Sequence, residues 1–131
     1  MSTIPNELRY TKSHEWVRIL PDGHWEIGIT DHAQSALGDL VFIELPELGR
    51  YLRAGESCAV VESVKAASDI YSPIDGSVVA ANPSLAVDPG AANQDPYAAG
   101  WLIRIEPSVG GGAQSLLDAA AYADFLAADA R

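Results

Sequence analysis

The sequence predicts a mainly β fold with one short internal helix and a C-terminal helix. Three observations carry this prediction. Short apolar segments punctuated by turn residues run through the middle of the chain. Thr30-Asp31 and Gly38 bracket a stretch of helical length. Near the end, Leu117, Ala121, Tyr122 and Phe125 share one helical face.

Residues 16–20 read as a strand and Pro21-Asp22-Gly23 as a turn, because proline presets its φ and glycine tolerates a positive one. Trp25, Ile27 and Ile29 alternate with Glu26 and Gly28, the period of a half-buried strand, so the two segments form a hairpin. A helix of about two turns follows over residues 31–37. Residues 40–45 form the next strand, closed by Pro46-Glu47-Leu48-Gly49. Three further strands are expected at residues 57–62, 68–71 and 77–81, with Pro73-Ile74-Asp75-Gly76 between the last two. A strand ending in Pro-x-x-Gly thus occurs twice, a weak sign of internal repetition. Residues 82–100 read as loop, and Trp101, Ile103 and Ile105 then alternate through a last strand. Gly110-Gly111-Gly112 reads as a flexible linker without phosphate-binding spacing. Ser115 with Asp118 resembles a capping box for a helix over about residues 115–128, docked on the strands.

The 131 residues suit a single domain, residues 1–131. Leu, Ile, Val and Phe supply about a quarter of them, enough for a core. The formal net charge is −10, with eighteen Asp and Glu against eight Lys and Arg. No basic run exists to neutralise phosphates, so no nucleic acid is expected as a partner. The same charge disfavours anionic membranes, and no apolar stretch reaches the ~18 residues of a span. Met1 to Glu7 has neither the basic lead nor the apolar segment of a signal peptide, so a cytoplasmic location is expected. The lone Cys58 precludes an internal disulfide, and beside Ala59-Val60-Val61 it reads as a buried, inert thiol. His14-Glu15 lacks the second histidine of a zinc-protease helix, and His24 and His32 have no evident metal partners. No Ser-His-Asp or Cys-His constellation nominates a nucleophile.

The candidate for chemistry is the segment 60–71. Lys65 lies ten residues after Gly55 and eleven before Gly76, natural ends for two strands flanking a turn. A hairpin over about residues 56–76 presents its ammonium at or near the tip. Ala66 and Ala67 leave access to it, and Glu62 and Asp69 frame it. In an arbitrary hairpin such a lysine is an ordinary surface residue. Here lysine is scarce: Lys12 and Lys65 are the only two, whereas a solvated face usually carries several. A modifying enzyme needs one accessible amine, and acylation there sets a cofactor on a long flexible stem.

Val61-Glu62-Ser63-Val64-Lys65-Ala66-Ala67-Ser68-Asp69-Ile70-Tyr71-Ser72-Pro73 closely resembles the lipoyl-lysine signature of the glycine cleavage system H protein family. Ser13-His14-Glu15-Trp16-Val17 is similar to that family's N-terminal motif. Gly28-Ile29-Thr30-Asp31-His32-Ala33-Gln34 and Leu37-Gly38-Asp39-Leu40-Val41-Phe42-Ile43-Glu44-Leu45-Pro46 resemble its second block. Asp95-Pro96-Tyr97 with Gly100-Trp101-Leu102, and Leu116-Leu117-Asp118 with Ala121-Tyr122, resemble later ones, so the likeness runs from about residue 8 to residue 126.

The resemblance implies a barrel-sandwich hybrid of the lipoyl and biotinyl carrier type and a non-catalytic shuttle. Lys65 would carry lipoate in amide linkage, placed there by a lipoate-attaching enzyme that recognises the flanking Glu62, Ser63, Val64 and Ala66. The dithiolane would accept the aminomethyl group from a pyridoxal-phosphate glycine decarboxylase, and the loaded arm would visit a tetrahydrofolate-dependent aminomethyltransferase. Dihydrolipoyl dehydrogenase would then reoxidise the dithiol. Carried over by motif, Ser13, Glu15 and Asp69 would hold the loaded group, with the carboxylates pairing to its ammonium. The sequence departs from the usual pattern at Ala36, where some members have histidine, at Ala98-Ala99, and in the glycine run. Two other readings share the fold: a biotin carrier, whose lysine usually sits between methionines rather than Val64 and Ala66, and a lipoate donor in a relay to other lipoyl domains.

Overall fold

The computed structural model describes residues 3–113 and 115–129. Among the described residues the order is β1 (Arg9–Tyr10), β2 (Glu15–Ile19), β3 (Trp25–Ile29), α1 (Asp31–Leu37), β4 (Leu40–Glu44), β5 (Tyr51–Leu52), β6 (Ser57–Ser63), β7 (Ala67–Tyr71), β8 (Gly76–Ala81), α2 (Ser84–Val87), α3 (Ala91–Gln94), β9 (Ile103–Pro107) and α4 (Ala119–Asp129). The strands make two antiparallel sheets, β1-β2-β3-β9-β8-β5 and β4-β6-β7. The mainly β expectation and both helices, internal and C-terminal, match this architecture.

The inward residues of both sheets form one apolar core: Ile27, Ile29, Ile43, Val61, Ile70, Val78, Ile103 and Ile105 are all buried in it. A second, smaller core lies under α4, where Leu8, Tyr10, Trp16, Ala119 and Tyr122 meet. Tyr10 and Tyr122 stack there with ring centroids 4.6 Å apart. Trp16 is anchored by its indole N–H, which donates to the Pro96 carbonyl at 2.8 Å. Its ring fills the space over Gly28, its register partner on β3; a Cβ on Gly28 would stand 2.6 Å from the indole. The strand glycine is therefore what admits the tryptophan.

Four local expectations change. The two-residue strands β1 and β5 were not foreseen, being too short to show alternation. β5 pairs with β8, so each Pro-x-x-Gly turn leads into one member of a strand pair. Residues 82–100 are not simply loop: α2 and α3 are single turns, and the Asn82 side chain accepts from the Ser84 N–H at 3.1 Å. The C-terminal helix begins at Ala119, not near 115, because both backbone groups of Leu117 pair with Tyr10 at 2.7 and 2.8 Å and keep that stretch extended. Asp118 itself caps the helix, accepting from the Ala121 N–H at 2.8 Å. The glycine run is a clasp: Asp75 accepts from the Gly112 N–H at 3.0 Å and donates its own N–H to the Gly112 carbonyl at 2.8 Å. Backbone N–H donors from Ala54 and Gly112 hold the Asp75 carboxyl below the usual carboxylate range.

Candidate functional site: a lysine hairpin and the cleft at its foot

β6 and β7 pair antiparallel with Glu62 opposite Ala67, so Val64, Lys65 and Ala66 make the tip. Ser63 shapes it. Its hydroxyl accepts from the Ala66 N–H at 3.1 Å and the Lys65 N–H at 3.3 Å, and the Ser63 N–H donates to the Ala66 carbonyl at 2.7 Å. Lys65 is exposed. A Cβ placed on Gly38 would lie 3.5 Å from Lys65 Cε, so the lysine stem passes over the α1–β4 corner. Gly38 has φ +84°, a left-handed conformation that also favours glycine at this helix end.

Beside that corner lies a cleft of about 200 Å³, walled by Ile29, Ala33, Ala36, Leu37 and Ile70, with Ser13, His14, His32 and Ser68 as its polar members. Asn93 fixes the corner: its side chain accepts from the Leu40 N–H at 2.9 Å and donates to the Gly38 carbonyl at 2.9 Å and to Gln34 at 3.1 Å. A lysine-borne acyl chain ending in a five-membered dithiolane suits this place, because the stem already lies over Gly38 and the cleft wall is mostly apolar.

Of the sequence-predicted pocket residues, Ser13 and Glu15 come together and Asp69 does not join them. The Ser13 hydroxyl donates to Glu15 Oε1 at 2.7 Å. Glu15 is fully buried, with Thr11 donating to the same oxygen and the Tyr71 N–H reaching Oε2 at 3.3 Å. Burial pushes its carboxyl above the ordinary glutamate range, against those hydrogen bonds. Asp69 lies between Ser68 and Ile70 on β7 and so projects from the opposite face of the sheet, where its carboxylate accepts from Ser57 at 3.0 Å.

What sequence reasoning missed is the cleft residue His14 together with the buried Thr30 and Tyr122 that back it. His14 Nδ1 and the Tyr122 hydroxyl are 2.8 Å apart, and that hydroxyl is 2.8 Å from Thr30 Oγ1. His14 lies against His32 with the rings tilted and their centroids 4.7 Å apart. Its φ of +72° is in the left-handed region, which costs a non-glycine residue about 1 kcal/mol. Backbone bonds hold it there, from the His14 N–H to Thr11 at 3.2 Å and from the Thr30 N–H to His14 at 3.1 Å. Ala36 lines the cleft, while Ala98 and Ala99 lie in the turn after Tyr97. Cys58 is buried, which pushes its thiol up to about 12, in line with an inert role. Among the described residues no group of three His, Cys, Asp or Glu side chains is arranged to hold a metal. No helix among them is long and apolar enough to cross a membrane.

The family model described as "Glycine cleavage H-protein" matches residues 8–129. The glycine cleavage system H protein of Azoarcus sp. (strain BH72) is 59% identical over 127 residues, covering 97% of this chain and 99% of that one. That of Halorhodospira halophila is 55% identical over 127 residues, covering 97% and 98%. The crystal structure of a glycine cleavage system H protein from Mycobacterium marinum superposes with a TM-score of 0.86 at 41% identity, covering 98% of this chain and 100% of that one. The barrel-sandwich hybrid expected from the sequence is thereby shown.

Proposed function

This chain belongs to the glycine cleavage H-protein family, and from that premise we propose that Lys65 is its point of lipoate attachment and that the cleft beside Gly38 shelters the arm. As a member of that family it is a lipoyl carrier component of the glycine cleavage system and not itself a catalyst. The observation that carries the site assignment is an exposed lysine on a sharply turned hairpin, its stem lying over a glycine at the rim of a mostly apolar cleft.

When bound, lipoate supplies a disulfide that opens to take up a one-carbon amine fragment and is regenerated by oxidation. The chain's own residues do the rest. Ser63 presents Lys65 to the attaching enzyme, and Glu62, Val64 and Ala66 flank it for recognition. Amide formation removes the lysine charge, so the stem can enter the cleft without desolvating an ammonium. Ile29, Leu37 and Ile70 exclude water from whatever the arm brings in. Ser13 offers an oxygen at the cleft wall, backed by the Glu15 carboxyl, to hold a cationic amine. The partners in this reading are the pyridoxal-phosphate glycine decarboxylase, the tetrahydrofolate-dependent aminomethyltransferase, dihydrolipoyl dehydrogenase and the lipoate-attaching enzyme. The work is done in the cytoplasm, by one carrier domain.

Glycine-dependent exchange of labelled CO₂ with purified decarboxylase tests the proposal. Chain produced with a lipoate supply sustains the exchange, and Lys65→Arg does not. Exchange sustained by Lys65→Arg refutes the assignment.

A further inference from the structure

We propose that the outer face of the β4-β6-β7 sheet, with Val41, Phe42 and Val64 rimmed by Glu44, Glu62 and Asp69, docks the enzyme that acylates Lys65. The proposal rests on the assignment of Lys65 above. It commits that enzyme to an apolar hollow flanked by Lys or Arg side chains.

The face is built by a β-bulge. Leu40 pairs with Ser63 and Phe42 with Glu62, so Val41 is an extra residue that the partner strand does not match. Regular alternation would bury one of two consecutive residues. Here the bulge leaves Val41 55% and Phe42 51% exposed, at the end of β4 that borders the hairpin tip. Val64, next to the lysine, is 80% exposed. Register puts the acids around them: Glu62 is opposite Phe42, and Glu44 and Asp69 both pair with Val60 on the same face. Asp69 therefore has a place on this face, having none in the cleft. Adjacent exposed apolar side chains with an acidic rim are an interface pattern rather than a solvated surface.

Reach selects the occupant. An enzyme acting on the dithiolane meets it at the end of an extended arm on the order of 14 Å long, from ordinary bond lengths. The acylating enzyme must bring its reacting carbon to Nζ itself, so its footprint has to include the residues around the tip. In that step the Nζ–carbonyl bond forms and the bond from that carbonyl to a nucleotide phosphate breaks. The nucleoside monophosphate leaves, and the ammonium gives up two protons in all, one before attack and one after.

The experiment uses full-length apo chain, a purified lipoate–protein ligase, lipoate and a nucleoside triphosphate, with initial rates read by intact mass. Val41→Ser with Phe42→Ser raises the KM for the chain about tenfold or more while kcat stays within about twofold. Glu44→Gln with Asp69→Asn raises it about threefold at low salt and less at high salt. Val79→Ser, an exposed apolar residue on β8, leaves it unchanged. Circular dichroism confirms that each variant is folded. The Val41/Phe42 variant, lipoylated to completion with excess ligase, keeps its wild-type KM in the decarboxylase exchange. An unchanged ligation KM for that variant overturns the proposal, as does a matching rise in the decarboxylase KM, which reassigns the face to another partner. Wild-type chain that gains no lipoyl mass on Lys65 defeats the proposed function itself, whatever the variants do.

Discussion

At the hairpin tip, Ser63 holds Lys65 and Ala66 through hydrogen bonds that span two and three residues. In the cleft at its foot, His14 is held by Tyr122 from 108 residues away, and at the corner beside it Leu40 is held by Asn93 from 53. The tip is a local object on an exposed turn, and the cleft is a product of the whole fold. The difference matters for a carrier. An attaching enzyme can be met by a turn that any partner reaches, whereas shelter from water requires walls contributed by β3, α1, β7 and the segment before β2. Damage to the two regions therefore has different signatures: cleft changes register as stability, tip changes as acylation.

The largest loss is expected from Gly28→Ala, which strikes the small core under α4 rather than the hairpin tip. Its Cβ meets the indole of Trp16, which the Pro96 carbonyl locks in place, so we expect a loss of about 3 kcal/mol in denaturant unfolding. Tyr122→Phe removes one hydroxyl shared by His14 and Thr30 while keeping the stack on Tyr10, and should cost about 1–2 kcal/mol. The same variant should change the His14 ring resonances in an NMR spectrum and leave the ligation rate as it was. A ligation rate that falls with Tyr122→Phe would erase the separation between the two regions.

Glu15 makes the fold behind the cleft sensitive to pH. Its folded carboxyl titrates above the unfolded range, so the folded chain holds that proton more tightly than the unfolded one. Its contribution to stability then falls as pH rises from the unfolded glutamate value through the higher folded one, and is constant above. Melting curves of wild type and Glu15→Gln, followed upward in pH from the ordinary glutamate range, should diverge against wild type as pH rises. A difference independent of pH contradicts the buried, raised carboxyl. Ser63→Ala gives the smallest stability effect, under about 0.5 kcal/mol, because its bonds lie in an exposed turn. It should nonetheless slow ligation of Lys65 several-fold.

Legibility in the sequence follows the same division. The exposed hairpin that carries Lys65 is readable because its setting is written within about a dozen residues on either side, in the glycines at the strand ends and the small neighbours. The strands and α1 were readable for the same reason, through alternation and the Thr30 and Gly38 caps. The cleft was not. Nothing near His14 announces Tyr122, and Asn93 sat in a stretch read as loop. Asp69 shows the limit of carrying a role over by motif alone, since alternation along β7 sends Ser68 and Ile70 to the cleft and Asp69 away from it. The glycine run misled because its partner, Asp75, is 37 residues upstream.

In this reading one amine carries the function. Chain co-produced with a lipoate-attaching enzyme in lipoate-fed cells, analysed by intact mass and then by fragmentation of its peptides, tests it most directly. We expect a gain of one lipoyl group, on Lys65, with Lys12 unmodified. No gain in mass, a modification on Lys12, or a biotinyl mass instead would contradict it.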